Sequence, residues 1–425
     1  MALMFTKDTK RLLENFLSLA FLRGFSRVLP LIITPFLFRT LGMHCFGTIE
    51  FIKAFSYYFI VFTEFGFHYS ATRQISLYRN EPNKVNEIHS CLLILKTVMV
   101  FAIFLVVLAM STWLEQIKAI RLPLLLYFPT VIANCFFPIW IFQGFEKMKV
   151  MTLINITGKF LFMIGLFVFI RSPQDFLIYP IALSTAETIR VLFSLYYAHK
   201  HFHLKLTLPS FDRLLFQIKD GLHIFLSNVS ISIYSRLPTI FLGFYSGPIA
   251  VSIYSVGVRI VRSLLGMIDP LTQAIFPYLS RKLYAAFDQG VTITLRILKI
   301  SGSIALIISL WTLLFAKPLV YVMSGTVSLE TILVLKIVSF LPFVVVLSNI
   351  IGIQILINLE KRHEYAYTML VAGIFCALIL WFLVPAYSAI GAAIGILATE
   401  IFATLLIGFF GWRAIREKRA LLNLR

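Results

Sequence analysis

Apolar runs, each near the length of a membrane crossing, recur from one end of the chain to the other. Short polar clusters and Gly/Pro turns separate them. About twenty apolar residues span a bilayer as a helix. The pattern predicts twelve spans, at 16–41, 46–72, 86–111, 120–144, 150–170, 175–198, 219–244, 248–279, 292–316, 328–357, 364–384 and 388–412. The short alternating segments of a membrane β-barrel are absent, so the fold class is an all-α polytopic membrane protein. The longest connection, between the sixth and seventh spans, is about twenty residues, too short to fold as a soluble catalytic domain. Any chemistry therefore belongs to the helix bundle.

Charge in the connections alternates. One side carries Lys7, Lys10, Arg11, Arg73, Arg79, Lys84, Lys147, Lys149, Lys200, Lys205, Arg213, Lys219, Arg281, Lys282, Lys361, Arg362 and the basic C-terminus; the other carries only Arg39, Lys118, Arg121, Arg171 and Lys317. The positive-inside rule places both termini in the cytoplasm, which requires an even number of spans. The net charge of +19 over 425 residues would suggest nucleic acid in a soluble protein. Here it follows from loop asymmetry, and no nucleic-acid partner is expected. With 59% hydrophobic and 13% charged residues, an ordinary soluble domain is excluded. Cys45, Cys91, Cys135 and Cys376 have no zinc or CxxC spacing and read as small buried hydrophobes. The first apolar run has the length of a span and no cleavage site, so it reads as a retained helix.

A weak internal repeat divides the chain. Phe25-Ser26-Arg27-Val28-Leu29-Pro30 is echoed by Tyr234-Ser235-Arg236-Leu237-Pro238, Gly42 by Gly247, Phe128-Pro129 by Leu341-Pro342, Glu146-Lys147 by Glu360-Lys361, Pro173 by Pro385, and Thr185-Ala186-Glu187 by Ala398-Thr399-Glu400. The offsets stay between 205 and 214 residues. The expectation is two six-helix lobes, 1–205 and 206–425, related by a pseudo-two-fold axis along the membrane normal, with the substrate path between them.

Charges within the spans mark that path, because each is costly if it faces lipid. Lys96, Arg190, Arg296, Lys299 and Lys336 lie near span ends and are expected to snorkel. Arg23 and Arg27 share a face of span one with Thr34; Glu50, Lys53, Tyr57, Glu64 and His68 form a stripe on span two; Arg236 lies on span seven; Arg259, Arg262, Gly266, Asp269 and Gln273 form a stripe on span eight. Arg27 and Arg259 fall near mid-membrane, Lys53 and Arg236 somewhat outward. Cations exceed acids here, although local pairs such as Glu50 with Lys53 account for part of the balance. The surplus points to a hydrated, cationic central cavity and an anionic ligand; guanidinium groups match phosphate oxygens bidentately. His68 and His223 read as satisfied core histidines, and His199, His201 and His203 as a solvated loop. GxSxG, Walker A, HExxH and Gly-rich nucleotide motifs do not occur, so neither an enzyme nor a cofactor is expected.

The chain resembles Wzx-type O-antigen flippases, in the polysaccharide transporter family of the multidrug/oligosaccharidyl-lipid/polysaccharide exporter superfamily. The resemblance rests on Pro35-Phe36-Leu37-Phe38-Arg39-Thr40-Leu41-Gly42, Phe46-Gly47, Ala71-Thr72-Arg73-Gln74-Ile75-Ser76, Pro138-Ile139-Trp140-Ile141-Phe142-Gln143-Gly144, Leu242-Gly243-Phe244-Tyr245-Ser246-Gly247-Pro248, Asp269-Pro270-Leu271-Thr272-Gln273-Ala274-Ile275-Phe276-Pro277 and Ala398-Thr399-Glu400. It implies flipping of an undecaprenyl-diphosphate-linked O-antigen repeat unit, from the cytoplasmic to the periplasmic leaflet of a Gram-negative inner membrane, by alternating access. Substrate-binding roles fall to Arg23, Arg27, Lys53, Arg236, Arg259 and Arg262, with Arg27, Arg236 and Arg259 on the diphosphate. Gln143, Asn134 and Tyr57 are candidates for sugar contacts. Glu64, Asp269, Glu187 and Glu400 are coupling or gating candidates, and Glu187 and Glu400 also suit helix-packing hydrogen bonds. Partners would be the lipid-linked oligosaccharide, the bilayer, and an O-antigen polymerase with its chain-length regulator. Two alternatives stay open: a cation-coupled multidrug exporter of the same superfamily, which would favour an acidic cavity, and an integral-membrane glycan polymerase, which would need a sizeable periplasmic loop.

Overall fold

A computed structural model describes the backbone of residues 7–423; the side chains of 7–28, 223–224, 226–233, 267–274, 277 and 423 lie outside the described residues. Among the described residues every regular element is helical. In chain order they are α1 (Lys7–Glu64), α2 (Phe67–Tyr78), α3 (Pro82–Trp113), α4 (Glu115–Ala119), α5 (Arg121–Phe136), α6 (Ile139–Gly144), α7 (Met148–Phe169), α8 (Ile178–Phe202), α9 (Phe211–Tyr245), α10 (Gly247–Ala285), α11 (Phe287–Leu314), α12 (Ala316–Ser324), α13 (Leu329–Val338), α14 (Leu341–Asn349) and α15 (Arg362–Asn423). A 3₁₀ turn (Pro173–Leu177) leads into α8, and a π-helical stretch (Ile350–Ile357) continues α14.

Nine described helical stretches are long and apolar enough to cross a membrane. Two of them are bent by non-helical backbone, at Gly42 (φ 76°) and Ser388 (φ 50°). Their outward faces carry exposed Val98, Phe101, Leu105 and Trp113 on α3 and Leu378, Trp381 and Phe382 on α15. In water such surface would aggregate; it suits acyl chains. The chain is a multi-pass membrane protein.

Helix breaks follow the sequence repeat. Gly42 and Gly247 share the left-handed φ, at 76° and 80°, a region that costs a side chain but not glycine. Glu146 and Glu360 also share it, at 56° and 62°. Both breaks close alike: the Lys147 N–H donates to the Phe142 carbonyl at 2.7 Å and the Lys361 N–H to the Leu356 carbonyl at 2.8 Å. These are the bonds that end a helix at an αL residue.

Residue contacts group the chain into two compact units. One comprises the chain through Ile33, Thr40–Cys45 and Ile52–Val229; the other comprises Thr34–Arg39, Phe46–Phe51 and Ser230 onward. The first unit packs α2, α3, α6 and α8 around Phe67, Ile75, Leu92 and Trp140. The second includes two short pieces of α1, held against α9 and α10 by missing side chains. A Cβ on Gly47 would sit 1.8 Å from the Pro248 carbonyl oxygen, and one on Gly243 would sit 2.1 Å from the Phe51 ring. Lipid gives helices no hydrophobic reason to associate, so close approach at small residues supplies the packing energy. Gly47 thereby sets the register of α1 on α10.

Replacing Gly47 by Ala should destabilise the protein by about 1–3 kcal/mol through overpacking against backbone. The thermal unfolding midpoint of the detergent-solubilised protein checks this. Gly408→Ala, where nothing lies within 4 Å, should leave the midpoint unchanged or raise it slightly.

Candidate functional site

In the second unit, α10 carries two neighbouring arginines. Arg259 and Arg262 are three residues apart, so they lie on adjoining turns. Arg259 reaches both arms of the bent α1: one guanidinium nitrogen donates to Thr34 Oγ1 at 2.7 Å, the other to Glu50 Oε2 at 2.5 Å. The Glu50 carboxylate is buried and the Arg259 side chain is nearly so. The bend at Gly42 makes this possible, because it brings Thr34 and Glu50, sixteen positions apart in sequence, to one guanidinium.

Arg262 is different. It is solvent-exposed and donates to the Ser235 carbonyl at 2.9 Å. Among the described residues no acid lies within ion-pair distance of it. Arg236, Arg259 and Glu400 are the charged groups whose fields reach it, with Tyr254 beside them. A guanidinium carries five donors, so Arg262 keeps most of its hydrogen-bonding capacity. Tyr254, 3% exposed, has a hydroxyl with no hydrogen-bond partner among the described residues.

The first unit contains charge that is sealed. Lys96 has no exposed surface; its ammonium donates to Glu64 Oε2 at 3.0 Å and to the Cys135 carbonyl at 2.8 Å, 4.8 Å from the centre of the Trp140 ring. Arg190 pairs with Glu187, donates to Asn155 Oδ1 at 2.6 Å and lies over the Phe137 ring. Both cations were expected to snorkel. They do not, because each finds a carboxylate, a neutral acceptor and an aromatic face inside the unit, which offset the loss of water. Arg296, Lys299 and Lys336 are exposed, in keeping with snorkelling.

Of the sequence-derived binding residues, Arg236, Arg259 and Arg262 lie in the second unit and come within electrostatic reach of one another. Lys53 belongs to the first unit and is half-buried. The side chains of Arg23, Arg27 and Asp269 lie outside the described residues. Of the other coupling candidates, Glu64 and Glu187 are ion-paired, and Glu400 is half-buried near Arg262. Glu50, placed beside Lys53 by the sequence, also takes a longer-range bond from Arg259. Sequence periodicity favours neighbours on the same helix and contains no signal for a partner 209 positions away. His68 was expected to be a satisfied core histidine, yet its buried Nδ1 has no hydrogen-bond partner among the described residues; His223 lies outside the described side chains. His199 and His201 sit on the last turns of α8, bonded to the carbonyls of Leu195 and Tyr197, rather than in a loop. Among the described residues no cluster has the make-up of a metal site.

Outside the spans, Lys361 donates to Glu417 at 2.8 Å. That bond holds its ammonium pKa above the ordinary lysine value.

This fold has solved relatives. An inward-facing multidrug resistance MATE family transporter of the MOP superfamily superposes with a TM-score of 0.74 at 15% identity, over 93% of this chain and 96% of that one. The lipid II flippase MurJ, in an inward closed conformation, superposes at 0.72 and 14% identity, over 92% and 86%. The chain thus shares the fold of these two structures. The family model "Polysaccharide biosynthesis protein" matches residues 12–283. Two proteins named "Putative O-antigen transporter" align over almost the whole chain. The one from Escherichia coli (strain K12) is 32% identical over 93% of this chain and 96% of its own length; the one from Shigella dysenteriae is 25% identical over 93% and 98%. The chain belongs to this polysaccharide biosynthesis family, as its Wzx-type motifs imply, and stands with transporters rather than enzymes.

Breaking the pair of sealed Lys96 and partly exposed Glu64 tests how strongly it is held. Glu64→Gln leaves the Lys96 ammonium buried without an anion and should cost on the order of 2–4 kcal/mol. The double variant Glu64→Gln with Lys96→Met removes both charges and should recover most of the loss. Thermal or denaturant unfolding of the purified variants separates the two outcomes.

Proposed function

We propose that the protein flips undecaprenyl-diphosphate-linked O-antigen repeat units from the cytoplasmic to the periplasmic leaflet of a Gram-negative inner membrane. The polyprenyl tail stays in lipid while the diphosphate and sugars move through a hydrated, cationic cavity between two six-helix lobes. Twelve spans fit this reading: the nine apolar stretches, two of them divided at Gly42 and Ser388, together with α9. Both termini would then be cytoplasmic. Rocking of the lobes, 1–205 and 206–425, would alternate access, with Glu64, Asp269, Glu187 and Glu400 as coupling or gating candidates. An O-antigen polymerase and its chain-length regulator would receive the product.

One observation carries the reading. In a chain whose relatives are named O-antigen transporters, α10 presents an exposed arginine, Arg262, with no acid at ion-pair distance among the described residues. An anionic ligand is the group that would complete it. Arg236 and Arg262 are the second unit's headgroup ligands in this scheme. Arg259 is already matched by Glu50, so it acts first as the clamp that orients α10 and binds phosphate only if Glu50 yields. Arg23, Arg27 and Lys53 are the proposed contribution of the first half. The MATE-like fold also suits a drug exporter, but a cationic drug would meet arginines where it needs carboxylates.

Arg262→Ala and Arg236→Ala should each reduce surface O-antigen about ten- to a hundred-fold at matched expression. That is the effect of losing one charge-assisted bond of roughly 1.5–3 kcal/mol. Arg262→Lys should retain part of the activity, as a single-point cation does. Wild-type O-antigen levels in both alanine variants would overturn the assignment.

A further inference from the structure

The N-terminal half of α3 borders two hollows that the transport scheme leaves unused, one polar and one apolar. The polar hollow, about 380 Å³, opens between α2, α3 and the start of α9. Arg73, Lys84 and Arg213 line it. Its floor is a buried reciprocal pair: Gln74 donates to Gln217 at 3.1 Å, and Gln217 donates back at 2.8 Å. Exposed Leu77 and Phe216 form an apolar lip.

Each cation has an acid beside it: Asp220 at 3.0 Å from Arg73, Glu81 at 2.9 Å from Lys84, Glu87 at 3.3 Å from Arg213. The side-chain charges therefore nearly cancel. Two features tip the balance. Two long helices, α3 and α9, begin at this hollow, and helix N-termini carry partial positive charge. The three cations are also about half exposed, so they retain donors that the acids do not use.

The second hollow, about 400 Å³, is almost wholly apolar. It lies between Leu93, Ile94 and Val98 of α3 and Leu206 and Leu208 of the extended strap 204–210. The strap is clipped to α3. The Lys205 N–H donates to Asn86 Oδ1 and the Thr207 N–H to Ser90 Oγ, both at 2.9 Å. Leu204 is buried in the core, whereas Leu208 is 97% exposed and Phe211 77%. A pinned strap that holds leucines outward is built to meet hydrocarbon.

We propose that the two hollows together hold one acidic phospholipid of the surrounding bilayer. Its phosphate lies among Arg73, Lys84 and Arg213, and one acyl chain lies in the trough under the strap. The helix supplies the spacing. Residues 84, 87, 88 and 91 border the polar hollow and 90, 93, 94, 97 and 98 the apolar one, so their centres are about 10 Å apart along α3 and roughly a quarter-turn round it, at ~1.5 Å and ~100° per residue. That matches the step from a phosphate past the glycerol to the upper acyl chain. Lysine and arginine side chains that keep free donors beside spanning helices recognise anionic headgroups by this chemistry. The site depends on the chain being in a membrane and not on what it transports.

The test is native mass spectrometry of the full-length, delipidated protein titrated with phosphatidylglycerol or phosphatidylcholine. Wild type should retain phosphatidylglycerol at several-fold lower concentration than phosphatidylcholine. Lys84→Gln and Arg213→Gln should each weaken phosphatidylglycerol roughly fivefold, near the worth of one cation at an anionic surface, and leave phosphatidylcholine unchanged. Lys84→Arg should keep the preference, and Leu206→Asn should weaken both lipids alike. Lys84 is half exposed, so its substitution spares the fold, which an unchanged melting midpoint verifies. Equal retention of the two lipids by wild type overturns the proposal, as does a preference that survives the Lys84→Gln/Arg213→Gln double variant. Displacement of phosphatidylglycerol by a lower concentration of farnesyl diphosphate also overturns it, and would assign the site to an isoprenoid diphosphate.

Discussion

An ionised group within a bilayer must find a partner or reach water, and this constraint orders the charged residues of the protein. Lys96 finds Glu64, the Cys135 carbonyl and the face of Trp140. Arg190 finds Glu187, Asn155 and Phe137. Arg259 finds Glu50 and Thr34. In each case a carboxylate cancels the charge and a neutral acceptor takes a further hydrogen. Such pairs add little net stability, but they are costly to break. They fix which helix faces which. Arg262 differs from them, because its bond to the Ser235 carbonyl supplies no negative charge.

The fold was legible where a physical signal is local. Gly42 and Gly247 punctuate the apolar runs, and their left-handed φ values are those that glycine permits. Glu146 and Glu360 matched in sequence and share a backbone conformation that non-glycine residues seldom adopt. The polar stripe of α10 was equally legible, since Arg259 and Arg262 recur at helical spacing. Partner choice was not. The Glu50 carboxylate binds an arginine 209 positions away. Lys96 looked like a residue able to reach an interface, yet it is sealed. Periodicity reports the face a residue occupies; it carries no information on what the facing helix offers. The bend at Gly42, readable as a turn, gave no hint that both of its arms would be tied to one guanidinium.

The breaks and the glycines serve the same end. Packing between lipid-facing helices cannot draw on the hydrophobic effect, so it depends on close approach. Gly47 against Pro248 and Gly243 against Phe51 permit that approach where α1 meets α9 and α10. Glu50 lies three residues beyond Gly47, within the same segment of α1. The contact that positions the helix therefore also positions the carboxylate, and a side chain added at Gly47 would be felt at Arg259.

The repeat diverges at one telling point. Glu187 and Glu400 occupy equivalent positions in the two halves. Three residues after Glu187 stands Arg190, which pairs with it. Three residues after Glu400 stands Ala403, buried and without charge. The first carboxylate is neutralised within its own helix and is committed to packing. The second has no such neighbour, and Arg262 is the cation whose field reaches it. The two carboxylates therefore match in the sequence and differ in their electrostatic surroundings.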